Sequence, residues 1–539
     1  MIILLLIASF ISSINATSVV SRSQSYPLSQ PAVHGPKTRL TIGNKVIAPD
    51  GFIRPATLVD GVFPGPLIAA QKGDHFDIEV VNKLKDDKMF RLTSVHWHGI
   101  SQNRTNYADG TSFVTQCPIT PDHSFLHSFS APNQAGTFWY HSHYSCDGLR
   151  GPMVIYDPHD PWAYLYDVDD ASTVITLADW YHDMAKDLRG KIAVANSMLI
   201  NGRGRYAGGP EHTLSVISVE QGKRYRFRLV QMSCDSNVQF SIGGHNLTVI
   251  EADGQLTERL EVDQLQIFAS QRYSVILVAD QPVDNYWICS LPNMANATCD
   301  GGMNSAILRY KGAPMADPTT VNTSSINPLN ETNLHALINP GAPGTPGYGN
   351  ADININLEVS VSGLHFLVNG VSYQSPTVPV LLQILTGAVD PSHMLPNGSV
   401  YILEPNKVVE LTLTTTGPGG PHPIHLHGHA FDVVQSAGFA ENSTLNYANP
   451  VRRDAVSAGS NGQRMVIRWV TDNSGPWFLH CHIDWHLEAG FAVVMAESPS
   501  DTSTHVSPVP YEWDRLCPIY DHHEKKPHTL PAGGLDSDL

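Results

Sequence analysis

Four H-x-H pairs stand out in the 539-residue chain: His96/His98, His141/His143, His425/His427 and His480/His482. On a strand, residues i and i+2 face the same way, roughly 6–7 Å apart at ~3.3 Å rise per residue. Each pair can therefore converge on one metal ion or on two neighbouring ions. The segment WFLHCHIDWHLEAGF, residues 477–491, sets a thiol inside one of these pairs. Period-2 alternation sends Cys481 to the face opposite His480 and His482. In PHPIHLHGH, by the same parity, His425 and His427 share one face and His422 takes the other.

His422, Cys481 and His486 thus form a His₂Cys set, the ligand set of a blue copper site. The eight histidines of the pairs form a second, all-imidazole site. The peptide linkages that join Cys481 to its two neighbours offer a short covalent route for an electron between the sites. Zinc also accepts one thiolate and two imidazoles, but it cannot change oxidation state and gains nothing from such a route. Structural C-x₂-C spacing is absent. Copper accepts both donor types, and eight histidines suit a multinuclear oxygen site.

The elements that must position these residues read as β structure. DHFDIEVVNKL, KRYRFRLVQM, RYSVILVAD, KVVELTLTTT and RMVIRWVTD alternate apolar and polar residues, broken by Gly, Pro, Asn and Asp. Long amphipathic helices are scarce. NQAGTFWYHSHY (133–144) resembles DNSGPWFLHCHI (472–483), and upstream of each lies a second pair, in VHWHGI (95–100) and IHLHGH (424–429). The first and last parts of the chain therefore read as copies of one β-domain, each bringing two pairs. The middle region, about 160–328, has strands but no pair. The fold class is all-β.

Hydrophobic residues make up 42% and charged residues 15%, as in a folded globular protein. The net charge of -17 argues against nucleic acid as a partner, because phosphate neutralisation needs clustered Lys and Arg. Met1 to Ala16 is apolar and uncharged, which reads as a secretory signal peptide over 1–16; no later segment spans a membrane. Seven N-x-S/T sequons, at Asn103, Asn246, Asn296, Asn322, Asn330, Asn397 and Asn442, fit a secreted, extracellular glycoprotein. Seven cysteines leave at least one outside intramolecular bridges.

HWHG, WYHSH, HPIHLHGHAF and HCHIDWHLEAGFA resemble the four copper signatures of the multicopper oxidases, and more closely those of basidiomycete-type fungal laccases. QCPI, CDGLRGP, INGRGR, GKRYRFRLV, NSAILRY and LCPIYD extend the likeness over nearly the whole chain. The resemblance implies three cupredoxin-like β-sandwich or barrel domains, at 17–158, 159–328 and 329–539. It implies four coppers: one type 1 in the third domain, and a trinuclear cluster of one type 2 and two type 3 between the first and third. Carried over by position, His96 and His425 hold type 2. His98, His141 and His482 hold one type 3 copper, and His143, His427 and His480 the other. His422, Cys481 and His486 hold type 1, with the non-ligating Phe491 at the axial position. The implied disulfides are Cys117–Cys517 and Cys146–Cys234, which leaves Cys289 and Cys299 to pair by elimination. Two features depart from the family pattern: only Tyr144 and Ser145 separate His143 from Cys146, and Cys289 and Cys299 are not general in fungal laccases.

The implied activity is the one-electron oxidation of phenols or aromatic amines near His486, with passage of electrons through Cys481 to His480 and His482. Four such electrons reduce dioxygen to two waters. Asp235 matches the family acid at the substrate mouth and would accept the phenolic proton. Asp109 and Asp454 match acids near the cluster or its water channels, and Asp484 would support the ligand strand. His245, His429 and His505 fall outside the ligand scheme and read as structural or surface residues. Lignin-type phenols are candidate targets, and the enzyme is expected to be a monomer. A ferroxidase and a blue copper electron carrier are the alternatives. The first needs an acidic cluster near the type 1 site, and the second leaves eight histidines without a role.

Overall fold

Alternation in the sequence becomes alternation in burial. Along the strand His75–Asn82, Phe76, Ile78, Val80 and Asn82 point inward while the residues between them lie nearer solvent. The computed structural model describes residues 32–143, 145–235, 237–293, 297–320, 324–417, 419–437 and 444–524. Within them the strands form six sheets, two from each successive third of the chain. A five-stranded and a four-stranded sheet come from the first third, and a six-stranded and a five-stranded sheet from each of the others. Each pair closes over apolar side chains, so the all-β expectation of three layered domains holds. The proposed signal peptide, 1–16, lies outside the described residues, as do Asn296, Asn322 and Asn442. No helix among the described residues is long and apolar enough to cross a membrane.

The sequence repeat has a counterpart in strand register. In the first domain, His96–His98 pairs antiparallel with Gly136–His141, so that His96 faces His141. In the last, Pro423–Leu426 pairs antiparallel with Gly475–Cys481, so that His425 faces His480. The residue between the two histidines of a pair turns away into its own domain: Trp97 and Cys481 are both fully buried. A glycine follows each upstream pair for a steric reason. Gly99 and Gly428 have φ of +88° and +75°, and a Cβ would meet Arg272 Nη2 at 2.6 Å and the Trp477 ring at 2.4 Å.

The middle domain supplies none of the pairs but braces the other two. Arg272 forms a two-pronged ion pair with Asp454, at 2.7 and 2.6 Å, and Arg453 reaches Asp253 at 2.8 Å. The disulfides are Cys117–Cys517, Cys146–Cys234 and Cys289–Cys299, as expected, and Cys481 is free and buried. The first spans 400 residues and fastens the helix Leu516–Glu524 to the first domain. The second joins the first domain to the middle one.

Candidate metal centre

The four pairs meet where the first and last domains face each other. Ring centroids within a pair lie 5.6 Å apart for His96/His98, 5.4 Å for His141/His143, 4.8 Å for His425/His427 and 5.5 Å for His480/His482. Donor nitrogens of His96, His98 and His425 come within 4.8 Å of one another, as do those of His98, His141 and His482, and those of His143, His427 and His480. His427 Nε2 and His480 Nε2 face each other at 3.1 Å. All eight rings are buried.

Hydrogen bonds orient the outer edge of most of these rings. His96 Nδ1 lies 2.9 Å from the Asp109 carbonyl, His425 Nδ1 2.8 Å from the Asp454 carbonyl, and His141 Nδ1 2.8 Å from the Ser142 carbonyl. His480 Nδ1 lies 2.9 Å from the Cys481 carbonyl, and His427 Nδ1 2.9 Å from Asp109 Oδ2. His98 is turned the other way, with Nε2 3.2 Å from Asp454 Oδ1. The inner nitrogens have no partner: His96 Nε2, His98 Nδ1, His141 Nε2, His425 Nε2 and both nitrogens of His143 and His482. A buried polar atom left unpaired costs about 1–3 kcal/mol, so many together at one point call for an acceptor of lone pairs. Burial, reinforced by the neighbouring imidazoles, drives His98, His141, His143, His425, His427 and His482 well below their ordinary pKa, and burial takes His480 to about 3. Neutral rings with outward N–H groups and inward lone pairs are what a copper cluster requires, so the residues fit the metal.

On the other side of the 480–482 segment, Cys481 Sγ lies 3.6 Å from His486 Nδ1 and 3.9 Å from His422 Nδ1. The two imidazole nitrogens are 3.1 Å apart. Burial lowers His422 to about 4 and His486 to about 3. Burial raises the thiol of Cys481, so its deprotonation depends on a bound cation. Phe491 closes the pocket, 5.3 Å from the His422 ring and stacked at 5.2 Å on Phe366. It offers no lone pair.

His486 is half-buried and opens on a cleft of about 840 Å³. Asp235 and Phe366 line the same cleft, which continues past Tyr373 and Phe478 to His143. Burial, and then the Asp179 carboxylate, push Asp235 up to about 7. Asp109 and Asp454 touch the histidines directly. Asp484 begins the short helix Asp484–Glu488, which carries His486, and its N–H donates to the Cys234 carbonyl at 2.8 Å. Of the histidines outside the ligand scheme, His429 pairs with Glu497 at 2.9 Å, His245 lies 2.7 Å from the Tyr310 hydroxyl, and half-buried His505 reaches Asn106 at 3.4 Å. None of the three belongs to the donor sets described above.

Sequence reasoning missed His127. It is fully buried against Trp97, with Nδ1 3.0 Å from the Ala108 carbonyl, one residue before Asp109. The signal was available, since SFLHSFS alternates with Phe125, His127 and Phe129 inward. Arg272 was missed as well, because nothing local links it to Asp454.

Three matches to the family described as multicopper oxidase cover residues 41–160, 171–313 and 373–501. Laccase-5 of Trametes villosa is 57% identical over 499 residues, covering 90% of this chain and 94% of that protein. A laccase of Pycnoporus cinnabarinus is 55% identical over 496 residues, covering 91% and 95%. Among solved structures, the laccase from Botrytis aclada superposes with a TM-score of 0.80 at 30% identity, covering 95% of each chain. Fet3p, a multicopper oxidase that functions in iron import, gives 0.78 at 29%, covering 91% of this chain and 95% of that one. With family matches along most of its length, and donor sets that fit copper, the chain belongs to the multicopper oxidases, in their laccase branch.

Proposed function

We propose that the chain is a secreted laccase, a benzenediol:oxygen oxidoreductase that holds four coppers. His422, Cys481 and His486 are the type 1 ligands, and His96 and His425 the type 2 ligands. His98, His141 and His482 form one type 3 set, and His143, His427 and His480 the other. The observation that carries the reading is the parting of donors at one segment: Cys481 Sγ lies 3.6 Å from His486, while His480 Nε2 lies 3.1 Å from His427. Copper in these sets supplies one-electron oxidation of phenols or aromatic amines at the thiolate site and four-electron reduction of dioxygen to two waters at the imidazole site.

The chain's own residues do the rest. The half-buried His486 edge is where an aromatic substrate can touch the thiolate site. Asp235 on the same cleft accepts the phenolic proton once it is ionised. Phe491 and Phe366 would keep water from a copper held by His422, Cys481 and His486, and because neither ring offers a lone pair the pocket would favour Cu(I) and hence a high potential. Cys481 and its peptide neighbours join the two donor sets. Asp109 and Asp454 fix the imidazoles and carry carboxyl groups at the cluster that can pass protons to reduced oxygen. Arg272 holds Asp454.

Secretion is supported by the apolar run Met1–Ala16 and by the exposed sequons Asn103, Asn246 and Asn397. We take the domain limits as 158/159 and 328/329, the working form as a monomer, and lignin-type phenols as targets. The much higher identity to laccases, 57% against 29% for the iron-import oxidase, favours phenols over Fe(II). Copper quantification with EPR tests the proposal: four ions per chain with two distinct Cu(II) signals are expected. A single blue signal with one ion per chain would leave only an electron carrier. Comparing turnover of Fe(II) with that of a dimethoxyphenol tests the substrate class.

A further inference from the structure

The cleft beside His486 has two unlike sides. One is apolar: Val361, Leu364 and Phe366 line it. The other is the turn after the short helix Ala185–Leu188, and it contributes Arg189 and Lys191. Arg189 is already committed. Its Nε lies 2.8 Å from Glu488 Oε1, and its guanidinium lies 5.1 Å from the centre of the Phe90 ring. Lys191 is exposed, and no carboxylate among the described residues pairs with it.

The remaining charged groups on the wall are few. Glu488 is held by Arg189. Asp235 titrates at about 7 and so is largely neutral in weak acid. Asp521 sits on the terminal helix whose Tyr520 packs on Phe113, toward the His143 end. His365 adds no negative charge. The uncompensated charge at the substrate end is therefore positive, on a chain whose net charge is -17. A local cation at the mouth of an otherwise anionic molecule selects by charge.

Resting on the laccase reading of this cleft, we propose that Lys191 determines specificity by pairing with a carboxylate on the substrate, so that the enzyme favours phenols of the hydroxycinnamate and hydroxybenzoate class. The ring lies against Phe366 and Leu364, its hydroxyl toward Asp235 and His486, and its carboxylate at Lys191. The carboxylate is unchanged by the reaction: the phenol loses one electron to the enzyme and its hydroxyl proton to cleft water, or to Asp235 in the fraction of molecules in which that carboxyl is ionised, leaving the phenoxyl radical.

The test compares 4-hydroxy-3-methoxycinnamate with its methyl ester on the holoenzyme at pH 6 and low salt. The ratio of kcat/KM for acid over ester should fall about two- to fivefold in Lys191→Gln, the range of an exposed charge pair. The fall should be greater in Lys191→Glu and should reside in KM rather than kcat. Lys191→Arg should restore the ratio, and high salt should erode it in the parent enzyme. The Ki of 4-methoxycinnamate, which has no phenol to oxidise, should rise in parallel. An unchanged ratio in Lys191→Glu, or an equal loss for acid and ester, overturns the proposal. Failure of the parent enzyme to oxidise the ester with oxygen uptake would instead overturn the laccase reading.

Discussion

Asp109 binds two histidines from opposite ends of the chain: its carbonyl lies 2.9 Å from His96 Nδ1, and its carboxylate 2.9 Å from His427 Nδ1. Asp454 mirrors it, holding His425 with its carbonyl at 2.8 Å and His98 with its carboxylate at 3.2 Å. Each acid thus grips one imidazole of its own repeat through the backbone and one of the other repeat through the side chain. The duplicated domains are cross-braced at the metal centre, and the brace selects which nitrogen faces inward.

Asp109→Ala should therefore loosen the imidazole site without touching the thiolate site. Removing such an outer partner typically costs 10–100-fold in metal affinity, a figure of about that order being expected here. After dialysis against a chelator, the variant should retain its blue band but lose copper from the cluster. Copper retention equal to that of the parent protein would show that the carboxylate has no orienting role.

Cys481→Ser separates the two sites from the other direction. The hydroxyl cannot replace the thiolate, so the blue band and phenol oxidation should vanish while copper stays in the imidazole set. Absorption spectra and metal counts on the same sample decide the matter, and a persisting blue colour refutes the assignment of Cys481.

The convergence of these donor groups was legible from the sequence because strand parity is local. His480, Cys481 and His482 alternate on one strand, and alternation alone sends sulfur and nitrogen to different sides. The resemblance to laccases supplied Asp109, Asp454 and the disulfides Cys117–Cys517 and Cys146–Cys234, whose partners lie far apart in the chain, and elimination supplied Cys289–Cys299. The cleft was not legible. Its walls come from residues 189–193, Asp235, residues 361–366 and residues 485–489, and no periodicity connects them. Arg272 escaped for the same reason, whereas His127 could have been found from the inward parity of its own strand.

Phe491→Met places a thioether where a ring now packs against His422 and Phe366. An added axial donor stabilises Cu(II) relative to Cu(I), so the type 1 potential should fall. Redox titration of the blue band measures it, and an unchanged potential argues against an axial position for residue 491.

Asp235 links activity and stability to pH with opposite signs. Its carboxyl titrates at about 7 in the folded chain against an ordinary 3.8. The folded state therefore binds more protons than the unfolded state between these values, and stability declines as pH rises through that window. Asp235→Asn should remove this penalty and raise the melting temperature at pH 8 but not at pH 3.5. The gain should be at most about 2 kcal/mol, because the side chain is only half-buried. The same variant should slow phenols more than a donor that releases no proton. Equal slowing of both donors would eliminate Asp235 as the proton acceptor.

Arg272 tests why a domain with no ligands belongs to the site. Its guanidinium grips Asp454 at 2.6 and 2.7 Å, with both side chains almost wholly buried, and Asp454 in turn holds His98 and His425. Removing one member of a buried pair strands the other charge and costs about 3–5 kcal/mol. Arg272→Met should therefore lower the midpoint of chemical denaturation markedly. Because Asp454 is then free to turn away from the cluster, copper should also be lost from the imidazole site at chelator concentrations that leave the blue band intact. A variant that is less stable yet retains all its copper would make Arg272 a structural residue alone; loss of both together assigns the middle domain a share in holding the metal.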